Sequence, residues 1–310
     1  MKKLHVSNAP HIHSGDSTQK IMLDVTIAML PATVAGVVIF GIKALWIIIA
    51  CVASAVLAEL LFNLACGKKS TIHDCSAVVT GLLLALNLST NVPIWQCILG
   101  SVFAIVIVKG TFGGIGKNIV NPAIAARVLL FKTFASVGGG ANPVLQGDNI
   151  LVSGSTPLVG LNNGEQSATL SQLFFGTHGG AIGETCAIAL LIGFIYLVAR
   201  KVIKWYVPTA FVATTFLCYI VSTGNFTLSL SHVLAGGLLL GAIFMATDYV
   251  TTPVTNLGKV VFCVGCGLLT FYFRQYTSYP EGVSISILVM NLFVPFIEKL
   301  TAKKTLGGIK

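Results

Sequence analysis

The chain alternates long apolar runs with short polar segments, and the spacing of those runs sets its architecture before any motif is considered. Apolar stretches cover 22–40, 44–64, 76–90, 93–109, 121–136, 181–199, 206–222, 232–247, 256–273 and 283–300. A helix rises ~1.5 Å per residue, so about twenty apolar residues cross a hydrocarbon layer ~30 Å thick. The runs predict an all-α, polytopic membrane protein of about ten transmembrane helices. The third, fifth and eighth runs are short and adjoin Gly, Asn or Pro, which is how broken or half-length helices read. Such breaks are tolerated at membrane depth only where protein or a cavity covers the freed backbone.

Composition agrees with the pattern. Of 310 residues 55% are apolar and 9% charged, with a mean hydropathy of +0.89, whereas soluble domains carry about a quarter charged residues. The solvent for most of the chain is therefore lipid. The formal charge of +9 would suggest nucleic acid in a soluble protein, but here Lys and Arg fall between apolar runs, where they set topology. No nucleic-acid partner is expected. The tail 1–21 is polar, lacks the apolar core of a cleavable signal, and is expected to stay in the cytoplasm, where His5, His11 and His13 would dock on partner subunits. With the N-terminus inside, Lys2, Lys3, Lys20, Lys68, Lys69, Lys117, Arg200, Lys201, Lys204, Lys259, Lys303 and Lys304 are cytoplasmic, and chiefly Lys43 and Arg274 remain outside. The C-terminal tail 301–310 is then cytoplasmic, and the segment 137–180, which has no Lys or Arg, lies outside. The eight Cys lie mostly inside apolar runs and read as small packing residues, not as a disulfide framework.

A shift of about 160 residues brings the second half onto the first. Asp24 falls on Glu184, Trp46 near Trp205, Gly81-Leu-Leu-Leu-Ala on Gly237-Leu-Leu-Leu-Gly, and Asn121-Pro on Glu281-Gly. Five runs per half is an odd number, so the halves 22–136 and 181–300 are expected to be inverted repeats joined by 137–180. The competing reading is chance similarity among Leu- and Gly-rich helices.

Several positions are candidates for chemistry. In Ser153-Gly154-Ser155-Thr156-Pro157-Leu158 the residue types alone read as turn formers in a long loop. Gly113-Gly114-Ile-Gly116-Lys117-Asn118, followed by Asn121-Pro122, lacks the strand and helix context of a phosphate loop. It reads better as a re-entrant turn, with Asn118 and Asn121 capping a helix that Pro122 opens. Asp24, Glu59, Glu184, Asp248 and Glu281 lie in or beside the runs, where a charge at the bilayer centre costs at least ~2.5–3.5 kcal/mol. Asp24 and Glu184, as the repeat-related pair, are candidates for ion coupling together with Asp248, which is also suited to holding the turn 247–253 through side-chain to backbone bonds. Cys263-Val-Gly-Cys266 has redox or metal spacing but no second Cys pair or matching His, so no metal site is expected. His178 reads as a solvated loop residue, with contact to a cofactor as the sharper alternative.

The chain also resembles a known family. Ser153-Gly-Ser-Thr156 is similar to the Ser/Thr-Gly-Ala-Thr motif of the D subunit of the Rnf complex and the related B subunit of the sodium-pumping NADH:quinone oxidoreductase. Further matching stretches are Pro10 to Asp24, Lys109 to Ala123, and Ala246-Thr-Asp248 with Pro253, so the resemblance spans essentially the whole chain. It implies covalent FMN on Thr156 through a phosphoester, with Ser153, Gly154, Ser155, Pro157 and Leu158 as motif neighbours. It also implies a noncovalent riboflavin near Asn118 and Asn121, a flavin transferase for maturation, and the other Rnf subunits as partners in a cell membrane. The implied function is a subunit of a ferredoxin:NAD+ oxidoreductase that moves Na+ or H+ and does not turn over alone. Ser155 departs from the family's usual Ala and puts a second hydroxyl beside the acceptor. The alternative function, a stand-alone inverted-repeat permease or channel for a small polar solute, leaves the Ser-Gly-Ser-Thr loop unexplained and predicts no chromophore.

Overall fold

A computed structural model of the chain describes residues 17–68, 71–134, 137, 157–162, 168–277 and 282–302. These residues are helical and contain no strand. In chain order the helices are α1 (Thr18–Phe40), α2 (Ile42–Ala65), α3 (Ser76–Leu86), α4 (Ile94–Gly110), α5 (Pro122–Thr133), α6 (Pro157–Asn162) and α7 (Leu170–Phe175). They continue with α8 (Ala187–Ala199), α9 (Tyr206–Thr223), α10 (Phe226–Leu234), α11 (Leu238–Met245), α12 (Asn256–Tyr276) and α13 (Val283–Thr301). α1, α2, α9, α12 and α13 are each long and apolar enough to cross a membrane. α10 and α11 reach that length and apolarity only as a pair, bent by 64° at 235–237 as in a broken span or a re-entrant loop, while α3, α4 and α8 are shorter apolar helices.

The expected break in the eighth run is present, although its helix begins at Phe226 and not at 232. The sixth run differs more. It was expected to be helical from 181, yet α8 begins only at Ala187, because Ile182 N and Gly183 N bond outward to the carbonyls of Leu88 and Leu86. Hydropathy cannot distinguish this extended packing from a helical turn. α1 begins at Thr18, four residues before its apolar run, because the Ser17 hydroxyl accepts from Lys20 N at 3.3 Å.

Helices approach closely where side chains are small, as membrane packing favours. At Gly81 on α3 a Cβ would stand 2.8 Å from the Cys51 carbonyl oxygen of α2, so no larger residue fits that crossing. Outward faces keep exposed apolar residues such as Val34, Val38, Leu57, Leu61 and Val221. One end of the bundle collects the starts of α1, α3, α5 and α12 and the ends of α2, α4, α8, α11 and α13. Lys20, Lys68, Lys117, Arg200, Lys201, Lys204, Lys259 and Lys299 make it the basic end. The opposite end carries α6, α7 and the segment 176–186.

Candidate functional site

At the basic end a cavity opens among α1, α3, α5, α8 and α11. Its walls are mostly apolar, including Met22, Val79, Leu83, Ile203 and Phe244, and its polar groups are few and convergent: Ser76, Thr80, Lys109, Asn118, Asn121 and Asp248. That mixture is typical of a small-molecule site. The glycine loop leads into it. Gly113, Gly114 and Gly116 take φ of 107°, 94° and 85°, which side-chain-bearing residues rarely adopt, and the loop delivers Asn118 to the cavity.

The two asparagines divide their roles. Asn121 caps α5, its Oδ1 accepting from Ala123 N at 3.0 Å and Ile124 N at 3.4 Å, with Pro122 at the first helical position. Asn118 caps nothing; its buried Oδ1 has no hydrogen-bond partner. An acceptor in that condition costs about 1–3 kcal/mol unless a ligand or water supplies a donor. Asp248 closes the same cavity. Its carboxylate accepts from Val250 N at 3.4 Å and Thr251 Oγ1 at 3.1 Å, which pins the turn after α11. Desolvation raises its carboxyl above the ordinary 3.8, and the two bonds pull the other way.

Beside the cavity lies a buried ion pair. Lys109 Nζ, 4% exposed, donates to Glu59 Oε1 at 2.8 Å and to Ser76 Oγ at 2.5 Å. Thr71 Oγ1 donates to the same carboxylate oxygen at 2.6 Å, and Asn63 Nδ2 donates to Thr71 Oγ1 at 2.9 Å. Lys109 sits in the π-helical last turns of α4. From sequence it was only part of a motif, because nothing local indicates that its partner is fifty residues away.

The opposite end holds a second polar cluster. Arg127 of α5, 6% exposed, donates to Asn87 Oδ1 at 2.7 Å and Ser284 Oγ at 3.0 Å. Glu184 Oε1 accepts from Ala181 N at 2.9 Å, and its Oε2 is buried without a partner. A Cβ on Gly237 would stand 2.9 Å from Glu184 Oε2 and 3.5 Å from Arg127 Nη1, so the helix break lies between the two charges. Sequence reasoning passed over Arg127; a lone Arg inside an apolar run was the available signal. Asp24 is far from this cluster. It pairs with Arg200 Nε at 3.2 Å and accepts from Tyr196 OH at 2.9 Å near the basic end, so the structure does not bring Asp24 and Glu184 together.

Ser153, Gly154, Ser155 and Thr156 lie outside the described residues, as do His5, His11, His13 and Glu281. The segment after Thr156 is anchored: Leu158 and Leu161 are buried against Ala168, Leu173 and Ala235. At Gly236 (φ 69°) a Cβ would meet Leu158 Cδ1 at 2.9 Å and Arg274 Nη2 at 3.2 Å. The chain leaving Thr156 is thus seated on the α10–α11 break. His178 is buried, not solvated as expected. Its Nδ1 lies 3.2 Å from the Gln172 carbonyl oxygen, and burial lowers its imidazole below the ordinary 6.5 against that bond. Cys263 and Cys266 are buried as free thiols, and no group of three or more His, Cys, Asp or Glu suited to a metal occurs among the described residues.

Residues 5–307 match the family model described as the NQR2, RnfD, RnfE family. The chain belongs to that family. Among curated relatives it is 42% identical to the D subunit of the Na(+)-translocating ferredoxin:NAD(+) oxidoreductase complex of Acetobacterium woodii, over 99% of this chain and 96% of the relative. It is 38% identical to the D subunit of the proton-translocating ferredoxin:NAD(+) oxidoreductase complex of Clostridium ljungdahlii, over 97% and 96%. To the D subunit of the ion-translocating oxidoreductase complex of Stutzerimonas stutzeri it is 34% identical, over 94% and 92%. The several apolar helices, together with the names of these relatives, make this NQR2, RnfD, RnfE family member a multi-pass membrane protein.

Proposed function

We propose that this chain is the D-type membrane subunit of an Rnf-class, ion-translocating ferredoxin:NAD+ oxidoreductase, carrying FMN as a phosphoester on Thr156 and relaying electrons through flavin while the complex moves Na+ or H+. The observation that carries the reading is the Ser153-Gly-Ser-Thr156 sequence set directly before a docked segment, in a chain matching D subunits end to end. FMN supplies one- and two-electron redox chemistry, and the protein supplies position and electrostatics. Pro157 and Leu158 fix where the anchor leaves the bundle, and Arg274 places positive charge beside that exit. The basic-end cavity has the apolar walls and few convergent polar groups of a small-molecule site. We assign it to a noncovalent riboflavin, with Asn118 Oδ1 accepting from an imide N–H or ribityl hydroxyl, while Asn121 spends its oxygen on the α5 cap. The relatives' names include both Na+ and proton translocation, so membership in the family does not choose the ion.

Two inverted five-helix repeats with both termini cytoplasmic are part of the same proposal. Cys75 (φ 60°) and Gly236 (φ 69°), 161 positions apart, each take a left-handed conformation at the head of α3 and of α11. α2 packs on α3 and α4 as α9 packs on α11 and α12, while α1 meets α8 and α5 meets α13 across the axis such a repeat would have. The basic end faces the cytoplasm by the distribution of Lys and Arg.

The test is direct. The protein, made together with a flavin transferase, is denatured and run on a gel. Flavin fluorescence should stay with the band and vanish in Thr156→Ala. A wild-type band without fluorescence would sink the covalent assignment and revive the permease reading.

A further inference from the structure

The basic-end cavity has a neighbour of different character. A second pocket lies against Lys201, Lys204 and Lys259, with Thr247, Thr252 and Tyr249 completing its polar lining. Lys201 and Lys204 come from the α8–α9 connection and Lys259 from the first turn of α12, so the fold, not sequence proximity, brings the three lysines to one pocket. Lys201 takes φ 59°, unusual for a residue with a side chain. Like charges converge there without compensation. Among the described residues no carboxylate pairs with any of the three: Asp24 is committed to Arg200 and Tyr196, Asp248 to Val250 and Thr251, and Glu298 to Val254 N. Lys204 Nζ donates to Asn256 Oδ1, a neutral group, at 2.5 Å.

The surroundings indicate what kind of anion would compensate. Trp205, the indole at this end of the bundle, is 62% exposed next to Lys204. Exposed Trp with Lys at a span end marks the headgroup level of a bilayer, and the helix it heads continues into the hydrocarbon. A free phosphate would meet only the lysines. A ligand with an anionic phosphodiester and acyl chains would meet the lysines and the exposed indole together.

We propose that the Lys201, Lys204 and Lys259 pocket is a binding site for the headgroup of an anionic phospholipid, whose acyl chains run along Trp205. Basic pockets between membrane helices recognise anionic headgroups in this way. The site adjoins the proposed flavin cavity, with which it shares Val202, Ile203, Thr247 and Tyr249, so its occupancy would brace that wall.

The test uses the full chain in vesicles, with Trp46→Phe and Trp95→Phe leaving Trp205 as the one Trp of the three. Brominated phosphatidylglycerol should quench Trp205 at lower mole fraction than brominated phosphatidylcholine, by about fivefold for each lysine engaged. K201Q/K204Q/K259Q should abolish that preference while leaving quenching by phosphatidylcholine intact, and K201R/K204R/K259R should keep it. Where the triple Gln variant does not fold, K259Q alone should still narrow the preference. Equal quenching by both lipids, or a preference that persists in the Gln variants, overturns the proposal. Relief of quenching by inorganic phosphate, beyond that caused by chloride of equal ionic strength, overturns the lipid assignment in favour of a soluble phosphate.

Discussion

The helix break before α3 and the one between α10 and α11 are built alike in backbone and oppositely in charge chemistry. Each turns on a left-handed residue, Cys75 in the first and Gly236 in the second. At the first, a cation from the end of α4 is met by a carboxylate: Lys109 reaches Glu59 and the Ser76 hydroxyl at the start of α3. At the second, a cation from the end of α12 is met by freed backbone. Arg274 Nη1 donates to the His232 carbonyl oxygen at 2.7 Å and Nη2 to that of Ala235 at 3.2 Å, while His232 stacks on Tyr219 with ring centroids 3.9 Å apart. One break thus spends its cation on a counter-ion and the other on satisfying the end of α10. The difference teaches that a break at membrane depth needs a cationic side chain more than it needs any particular partner for it.

The comparison can be broken at its strongest point first. Lys109→Met leaves Glu59 ionised and buried without its cation, and should cost roughly 3–5 kcal/mol. Adding Glu59→Gln should return most of that, because replacing both members of a buried pair is far cheaper than removing one. Unfolding in detergent, followed by helical circular dichroism, reads both; equal losses in the single and double variants would show that the pair is not what holds α2 and α4 together. Arg274→Ala should cost less, roughly 2–3 kcal/mol, since it removes donors to carbonyls and strands no charge.

The backbone halves of the two breaks sharpen the contrast further. Gly236→Ala forces a Cβ to within 2.9 Å of Leu158 at φ 69° and should destabilise by about 1–2 kcal/mol. Cys75→Gly relieves the same conformation and should stabilise by up to about 1 kcal/mol. The same assay reads both, and a destabilised Cys75→Gly would mean that the thiol contributes more than its backbone strain costs.

Much of this architecture was legible in the apolar runs. The long helices, the short α3 and α5, and the interrupted eighth run follow from hydropathy and from the Gly, Asn and Pro residues beside them. The start of α8 was not legible, because Ile182 and Gly183 are as apolar in extended form as in a helix and only the carbonyls of Leu86 and Leu88 decide between the two. At the site, Asn118 and Asn121 were nominated together and Asp248 separately; that all three line one cavity depends on how distant elements pack around it, which no local pattern encodes. Lys109 with Glu59, and Arg127 with Asn87 and Ser284, are unions across 40 to 157 positions. A charge within an apolar run signals that a partner exists without saying where. The pairing of Asp24 with Glu184 rested on an expected repeat, and the structure places Asp24 with Arg200 and Tyr196, far from Glu184.

The smallest expected effects are in pH, and they run in opposite directions at the two ends of the molecule. His178, with its imidazole lowered by burial, binds fewer protons folded than unfolded between its depressed value and 6.5. Stability there should rise with pH and level off above 6.5. Asp248, raised by burial, binds more protons folded than unfolded above 3.8, so its contribution should fall as pH climbs from 3.8 through the raised value. His178→Asn should therefore flatten the neutral side of the stability profile, and Asp248→Asn the acidic side. Asp248→Asn carries further information. Its amide oxygen can still accept from Val250 N or from the Thr251 hydroxyl, so a variant that keeps the basic-end cavity while losing the acidic slope assigns Asp248 to holding the turn. A variant that loses cation-dependent activity of the assembled complex, with stability and flavin content unchanged, assigns its charge to ion movement.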